Sequence, residues 1–214
     1  MKAHETLRLI EETGVIAILR GTSEEQALYT AEALASAGLK AIEVTFNTPG
    51  ADRIISAIAK RFAGSLLPGA GTVTTPAQAV CAKESGAQYI LAPNTDEEVI
   101  RTTQQFGLPM IPGAFTPSEV IRCAKLGCQL IKVFPVSTVG PQYIKDLKSP
   151  FDTLSFLPVG GVDLINTPAF IKAGAAAVGV GGSLIQKDLL ARGDYAAMTD
   201  LAKRYLEAVA SARA

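Results

Sequence analysis

The sequence predicts an α/β fold, a single-domain (β/α)₈ TIM barrel with an additional N-terminal helix. The chain has 214 residues, which is enough for one domain with a substantial core and too few for two ordinary domains. Short β-rich runs alternate with helical patterns along the whole length, and no linker or low-complexity tract interrupts them. Eight strand–helix units in about 200 residues suit a small barrel, so we expect residues 1–214 to form one domain.

The predicted strands are short and are bounded by glycine or other turn residues. They span Gly14–Gly21, Lys40–Asn47, Leu66–Val73, Tyr89–Pro93, Pro109–Gly113, Leu130–Pro135, Ser155–Val159 and Ala177–Gly181. The helical segments between them include Glu24–Ala37, Asp52–Phe62, Pro76–Ser85, Asp96–Phe106, Pro117–Leu126 and Gln142–Leu147. A doubly wound sheet shares the alternation, but it usually has fewer strands, and no Gly-x-Gly-x-x-Gly motif opens the first helix.

Residues that favour helix ends flank these segments. Side chains suited to an N-cap or a first helical position open four of them, at Ser23, Thr75-Pro76, Asp96 and Thr116-Pro117. Glycine, which readily adopts the left-handed conformation of a C-cap, follows helical segments at Gly38, Gly86, Gly107, Gly127 and Gly174.

The composition is typical of a compact protein, with 48% hydrophobic and 19% charged residues. Lys plus Arg and Asp plus Glu each number 20, and no basic run indicates nucleic-acid binding. No apolar run approaches the roughly 20 residues that span a bilayer. Residues Met1 to Glu12 lack the apolar segment of a signal peptide. We therefore expect a cytoplasmic protein that binds neither nucleic acid nor membranes.

Cysteine and histidine are too few for most metal or triad chemistry. Cys81, Cys123 and Cys128 lie in helical patterns and indicate buried thiols in a reducing compartment, with a catalytic thiol as the remote alternative. The single histidine, His4, falls in the first turn of the N-terminal helix, where we expect it to be exposed. We predict no metal and no cofactor, so another base must move protons.

Three charged side chains fall on the predicted inner face of the barrel. Successive strand residues point to opposite faces. In the second strand Ile42 and Val44 are apolar and face the helices, which leaves Glu43 pointing inward. The same alternation places Lys132 inward on the sixth strand and Arg20 at the C-terminal end of the first. The carboxyl-end face of a barrel is where active sites are built.

Lys132 and Glu43 admit two interpretations. Interior charges usually need partners, so the two residues could form a structural ion pair. The alternative is catalysis, because a desolvated lysine amine attacks a ketone, and the resulting imine stabilises a carbanion while a C–C bond breaks. Glu43 would then be the carboxylate that moves the protons. The pattern favours a Schiff-base aldolase and leaves the ion pair open.

Glycine-rich segments close the last two predicted strands, at Pro158-Val159-Gly160-Gly161 and Gly179-Val180-Gly181-Gly182-Ser183. Barrels often bind phosphate with the loops after these strands, through bare backbone N–H groups. Tight turns are the alternative, but two such loops on consecutive strands favour phosphate. Gly69-Ala70-Gly71-Thr72 ends the third strand, where Thr72 could hold a substrate carboxylate or cap the next helix.

Together these motifs resemble the 2-keto-3-deoxy-6-phosphogluconate (KDPG) aldolase family, which includes the 4-hydroxy-2-oxoglutarate (KHG) and 6-phosphogalactonate (KDPGal) aldolases. The resemblance runs in order from about Gly14 to Ser183. Its motifs are Glu43-Val44-Thr45, Gly69-Ala70-Gly71-Thr72-Val73, Lys132-Val133-Phe134-Pro135, Pro158-Val159-Gly160-Gly161-Val162 and Gly181-Gly182-Ser183. It implies a homotrimeric class I aldolase that gives pyruvate and glyceraldehyde 3-phosphate without metal or organic cofactor.

The resemblance also implies a role for each site residue. Lys132 would be the Schiff-base lysine and Glu43 the general acid/base, while Arg20 and Thr72 would hold the keto-acid end. The pyruvate pocket would be lined by Pro93 and Phe134. The phosphate site would comprise Gly160, Gly161, Gly181, Gly182 and Ser183.

Two positions depart from the gluconate-type pattern. Asn47 stands where many gluconate-type members carry an arginine that contacts the carboxylate, and Arg20 is the obvious cation for that task here. Val159 replaces a threonine before the double glycine, which removes one hydrogen bond available to a substrate hydroxyl. Both residues resemble the galactonate-type members, so the preferred C4 epimer of the substrate stays open.

Two other classes would share the predicted barrel and its phosphate loops. A phosphosugar isomerase or epimerase needs a paired acid and base, but it has no covalent use for Lys132. A non-catalytic phosphosugar-binding protein would leave both Lys132 and Glu43 without a purpose.

Overall fold

The computed structural model describes residues 2–214, so Met1, the first residue of the predicted single domain, lies outside the described residues. The strands are β1 (Val15–Leu19), β2 (Ala41–Thr45), β3 (Leu67–Gly71), β4 (Ile90–Leu91), β5 (Met110–Ile111), β6 (Gly113–Ala114), β7 (Leu130–Val133), β8 (Ser155–Pro158) and β9 (Val178–Val180). The helices are α1 (Ala3–Thr13), α2 (Glu24–Ser36), α3 (Ala51–Arg61), α4 (Pro76–Glu84), α5 (Glu97–Gln105), α6 (Pro117–Lys125), α7 (Gly140–Lys148), α8 (Thr167–Lys172), α9 (Lys187–Arg192) and α10 (Tyr195–Arg213). The N-terminal helix predicted before the first strand is present.

The strands pair in parallel throughout the described chain. Hydrogen bonds join them in the order β5-β4-β3-β2-β1-β9 and, in a second run, β6-β7-β8. Just beyond β8, Val159 forms an isolated parallel bridge with Gly179 of β9. The fold is therefore α/β, with a curled parallel sheet and a helix in nearly every connection.

The predicted fifth strand, Pro109–Gly113, is divided into β5 and β6 at Pro112. Proline has no N–H to donate to a sheet ladder, so it interrupts the pairing. Its carbonyl still accepts a hydrogen bond of 2.9 Å from the backbone N–H of Lys132. The two pieces are therefore one extended segment that pairs with β4 before the proline and with β7 after it.

Apolar residues of the sheet sort into two clusters that follow the predicted alternation. Ile42 and Val44 belong to the larger cluster, which packs strands against helices. Ala41, on the opposite face of β2, belongs to an inner cluster on the concave face. The members of this inner cluster are Ile10, Ile16, Ile18, Ala41, Leu67, Tyr89, Leu91, Ile111, Leu130, Leu157, Val159 and Ala177. Glu43 and Lys132 stand two residues after the inner residues of their strands, so both lie on the concave face as predicted.

Helix α1 covers the amino end of this inner cluster. Ile10 is a fully buried member of the cluster, and Leu7 and Leu9 pack against it. The carboxyl ends of the strands are left to form the site. His4 is exposed on α1, as expected.

The predicted helix ends are confirmed. The side chains of Ser23, Thr75, Asp96 and Thr116 each accept a backbone hydrogen bond at an N-cap. All five predicted C-cap glycines have positive φ, as at Gly38 (93°) and Gly174 (99°). Such caps stabilise a helix by about 1 kcal/mol each.

The three cysteines are free thiols. Cys81 and Cys123 lie on α4 and α6, whereas Cys128 follows the end of α6 rather than lying within it. Within residues 2–214, no helix combines the length and the apolar character needed to cross a membrane.

Candidate active site

A cavity of about 660 Å³ opens at the carboxyl ends of β1, β7, β8 and β9. Volumes of this order are typical of small-molecule sites. Eight of the predicted site residues line it: Arg20, Phe134, Val159, Gly160, Gly161, Gly181, Gly182 and Ser183. The structure therefore brings together residues from four separate strand ends.

Lys132 lies beside the cavity, with 5% of its surface exposed. Its Nζ is 5.3 Å from the centroid of the Phe134 ring, and that ring lines the cavity. The contact is a cation–π geometry, which stabilises a positive charge when the ammonium is protonated. An amine carried by a strand and packed against an aromatic ring has little conformational freedom.

Glu43 is buried on β2, with 1% of its surface exposed. Its carboxylate occupies the space where a side chain at Gly71 would otherwise lie, since a Cβ there would overlap Oε1. Neither carboxylate oxygen has a hydrogen-bond partner among residues 2–214. The glycine at position 71 is thus required by the position of the carboxylate.

Lys132 and Glu43 do not form the structural ion pair that the sequence left open. Among the described residues, no carboxylate oxygen lies within 4.0 Å of the Lys132 Nζ. Unpaired ionisable groups in an interior are unfavourable for folding, because they lose their hydration. Their retention on one concave face favours a chemical role over a structural one.

Tyr89 is a further polar residue of the concave face, and sequence reasoning missed it. The side chain is fully buried in the inner cluster, and its hydroxyl has no partner among the described residues. Burial raises the pKa of Tyr89 well above its usual value, and the charge of Glu43 raises it further. The signal was present in the sequence, because Tyr89 alternates with the inward Leu91 in the fourth predicted strand.

Thr72 has a left-handed backbone, with φ of 57°. Threonine rarely adopts this conformation, because its branched side chain crowds the backbone. The helix-capping alternative for Thr72 is wrong, since the N-cap of α4 is Thr75. A half-buried hydroxyl held in a strained turn at the end of β3 is suited to ligand contact.

The two glycine loops differ in why they contain glycine. Gly160 and Gly161 have φ of 88° and 86°, and a Cβ at Gly161 would lie 2.6 Å from the side chain of Ser137. Their backbone therefore requires glycine for folding, as the tight-turn interpretation supposed. Gly181 and Gly182 have no positive φ, and a Cβ at either would meet nothing within 4 Å. Folding does not require glycine there, so close approach by a ligand is the remaining reason.

Backbone donors at both loops are available to a ligand. The N–H groups of Gly160, Gly161, Gly182 and Ser183 donate to no backbone acceptor among residues 2–214. Gly181 accepts hydrogen bonds from the N–H groups of Leu184 and Ile185, which forms a single helical turn. Free N–H groups at the start of such a turn favour anions.

Arg20 and Lys187 are the charged residues of the cavity lining, and both are exposed. No acidic side chain from the described part of the chain joins them in that lining. Lys187, the first residue of α9, was not predicted, and its sequence context carries no signal for a ligand. The charged side chains of the lining are therefore both cationic, which suits an anionic ligand.

A family model for "KDPG and KHG aldolase" matches residues 7–201 of the chain. The chain belongs to this aldolase family. It is therefore an enzyme that breaks carbon–carbon bonds, as the resemblance of its motifs implied.

Two relatives of named activity cover most of the chain. The chain is 40% identical to the 2-dehydro-3-deoxy-6-phosphogalactonate aldolase of Escherichia coli over 172 residues, covering 79% of this chain and 83% of the relative. It is 33% identical to the 2-dehydro-3-deoxy-phosphogluconate aldolase of Treponema pallidum over 202 residues, covering 94% and 95%.

Solved structures share the fold closely. A KDPG aldolase from Legionella pneumophila, with pyruvate captured as a covalent carbinolamine, superposes with a TM-score of 0.86 at 28% identity over 91% of this chain and 95% of that one. A cube-shaped cage designed by fusing symmetric oligomeric domains matches with a TM-score of 0.86 at 34% identity, covering 94% of this chain and 73% of the cage chain.

The cavity lining does not include the other five predicted site residues, which are Glu43, Asn47, Thr72, Pro93 and Lys132. Asn47 is exposed in the turn after β2, and Pro93 is half-buried after β4, with its backbone against Gly113. The structure does not bring Asn47 into the cavity lining. Val159 does line it, with its side chain over Gly179, where a Cβ would overlap it.

Proposed function

We propose that this protein cleaves 2-dehydro-3-deoxy-6-phosphogluconate to pyruvate and glyceraldehyde 3-phosphate through a Schiff base on Lys132. One observation supports this proposal more strongly than the others do. A buried lysine and a buried carboxylate lie on one concave face without an ion-pair partner among residues 2–214, and the cavity next to the lysine has two exposed cations and no acid from those residues in its lining. The substrate has a ketone to meet the lysine and an anion at each end.

The reaction begins when the neutral amine of Lys132 attacks the C2 ketone and water leaves from the carbinolamine. The protonated imine then withdraws electrons from the C3–C4 bond. Glu43 takes the proton of the C4 hydroxyl, the C3–C4 bond breaks, and its electron pair becomes that of an enamine. Glyceraldehyde 3-phosphate leaves, C3 takes a proton back from Glu43, and water releases pyruvate from Lys132.

The two ends of the substrate would meet different parts of the cavity. The free N–H groups of Gly160, Gly161, Gly182 and Ser183 suit the phosphate, because they donate without a charge of their own. Arg20 and Thr72 would hold the carboxylate of the keto acid, with Phe134 and Pro93 against its methylene side. Fixing both ends places C2 at Lys132.

The galactonate epimer is a second candidate substrate, favoured by Val159. This side chain lines the cavity and has no hydroxyl to form a hydrogen bond with the C4 hydroxyl of the substrate. The 40% identical relative from Escherichia coli carries the galactonate name. Cleavage of 4-hydroxy-2-oxoglutarate to pyruvate and glyoxylate would use the same lysine and carboxylate, without the phosphate loops.

We also propose that the curled sheet closes as an eight-stranded barrel in one domain. Treating β5 and β6 as one strand leaves each strand with two neighbours, and the bridge between Val159 and Gly179 joins the two runs. A homotrimer in the cytoplasm is the assembly implied by the family resemblance, and the match to symmetric oligomeric domains supports an oligomer. Light scattering coupled to gel filtration measures the number of subunits.

Borohydride reduction in the presence of pyruvate tests the proposed chemistry. The reduction should add a three-carbon unit to Lys132 and abolish activity, and peptide mass spectrometry locates the label. Label at Lys40, Lys145 or Lys172 with Lys132 unmodified would contradict the assignment. Failure of pyruvate to label any lysine, with phosphosugar isomerisation present instead, would support the isomerase alternative. Chelators should leave the rate unchanged.

A further inference from the structure

The ring of Tyr89 and the carboxylate of Glu43 are neighbours on the concave face. Gly69 is the Cα partner of Glu43 in the β2–β3 register. A Cβ at Gly69 would overlap the ring of Tyr89, and a Cβ at Gly71 would overlap the carboxylate of Glu43. Two successive inward positions of β3 are thus glycine, and the space they free is filled by these two side chains.

Both groups are buried, and neither has a hydrogen-bond partner within residues 2–214. Phenylalanine would fill the same space without the unfavourable burial of a hydroxyl, so packing does not account for tyrosine here. The raised pKa of Tyr89, caused by burial and then by Glu43, keeps the phenol protonated. A protonated phenol is a hydrogen-bond donor, and an ionised carboxylate is an acceptor.

We infer that Tyr89 is a positioning residue for Glu43: its phenolic O–H reaches the carboxylate through one bridging water and fixes the oxygen that takes the substrate proton. The inference rests on the proposed function, because it concerns the proton transfer of that reaction. Lys132 on β7, and Arg20 and Lys187 at the cavity mouth, are the other charged groups of this end. None of the three forms an ion pair within the described chain, so none replaces the phenol as a donor to Glu43.

Loss of the Tyr89 hydroxyl should change the pH dependence of activity in one direction. A donor to a carboxylate favours its ionised form, so removing the donor disfavours the ionised base. The base is active only when ionised, so loss of the donor should lower activity most on the acidic side of the pH profile. Tyr89→Phe should therefore move the acidic limb of kcat/KM to higher pH by about half a unit to one unit.

The experiment compares wild type, Tyr89→Phe and a control, Tyr205→Phe. Tyr205 on α10 is also a buried tyrosine, but it lies in the cluster between strands and helices rather than in the inner cluster. Exchange of the pyruvate methyl protons in D₂O, followed by NMR across pH, reports proton transfer. Borohydride trapping of pyruvate across the same pH range reports how readily the amine of Lys132 forms the imine.

Tyr89→Phe should slow the exchange about 2- to 10-fold, shift its acidic limb upward, and leave the trapping curve unchanged. Tyr205→Phe should leave the acidic limb in place. Unchanged exchange and an unchanged limb in Tyr89→Phe would overturn the inference. Tyr89→Leu, which also lacks the hydroxyl, gives the same test if the phenylalanine variant folds poorly. Absence of both trapping and exchange in wild type would instead overturn the proposed aldolase chemistry.

Discussion

The base of the site, which is the buried concave face beside the cavity, and the mouth of the cavity hold their polar groups in opposite ways. At the base, Glu43 and Lys132 are 1% and 5% exposed and lack partners on the described chain. At the mouth, Arg20 and Lys187 are exposed, and glycine at position 182 faces open space. Charge interactions are stronger where water is excluded, so the base suits bond-breaking and proton transfer. The mouth suits reversible capture of an anion, because its donors stay hydrated until a ligand arrives.

Substitutions at the base and at the mouth should affect different kinetic constants. Changes at the base should lower kcat and leave ligand capture intact, whereas changes at the mouth should raise KM. Substitutions at the two places test that separation.

Lys132→Met should abolish cleavage, because the amine that forms the imine is removed while most of the side-chain volume stays. Binding of inorganic phosphate at the mouth, measured by calorimetry, should change little. Lys145→Met on the exposed face of α7 is the matched control and should retain full activity. Substantial turnover by the Lys132→Met variant would show that the mechanism does not use Lys132.

Glu43→Gln should lower kcat by roughly 10²- to 10⁴-fold, the usual contribution of general acid/base catalysis. Glutamine has nearly the same shape and fits against Gly71, so the melting temperature should hold. Steady-state cleavage and the exchange of pyruvate methyl protons should fall together. Exchange at the wild-type rate would show that another group moves the protons.

The two glycine loops should respond differently to alanine. Gly161→Ala should lower the free energy of unfolding by about 1–3 kcal/mol, because φ of 86° and contact with Ser137 exclude a side chain. Gly182→Ala should leave stability unchanged and raise the KM of the phosphorylated substrate roughly tenfold, since its methyl group enters the ligand space. Thermal melts and kinetics of both variants measure the contrast. Equal stability losses would mean that Gly182 also serves the fold.

Val159→Thr should have the smallest effect. Adding a hydroxyl at the cavity wall should favour the gluconate epimer by the contribution of one hydrogen bond, about 0.5–1.5 kcal/mol or roughly 2- to 13-fold in relative kcat/KM. Assay of both epimers with wild type and variant gives the ratio. An unchanged ratio, or a shift towards galactonate, would show that Val159 does not read C4.

Local patterns in the sequence were enough to predict the strands that carry the chemistry. The alternation in β2 and β7 places Glu43 and Lys132 inward whatever the neighbours are, because strand residues alternate at every step. Cap residues such as Ser23 and Gly38 could be predicted for a similar reason, because capping depends only on a few neighbouring residues. The fifth strand was less predictable, because its division at Pro112 depends on which strand each half meets.

The family, the strand–helix order and the chemical types at the site were determined by the sequence alone, because periodicity, caps and motifs are local properties. Tertiary structure decided what those residues face. It showed that Lys132 and Glu43 are not paired, that Thr75 and not Thr72 caps α4, and that Lys187 reaches the cavity. It also placed Tyr89 beside Glu43 over two glycines of β3. Such distances between residues far apart in the chain follow from how strands are registered and packed, which no local pattern specifies.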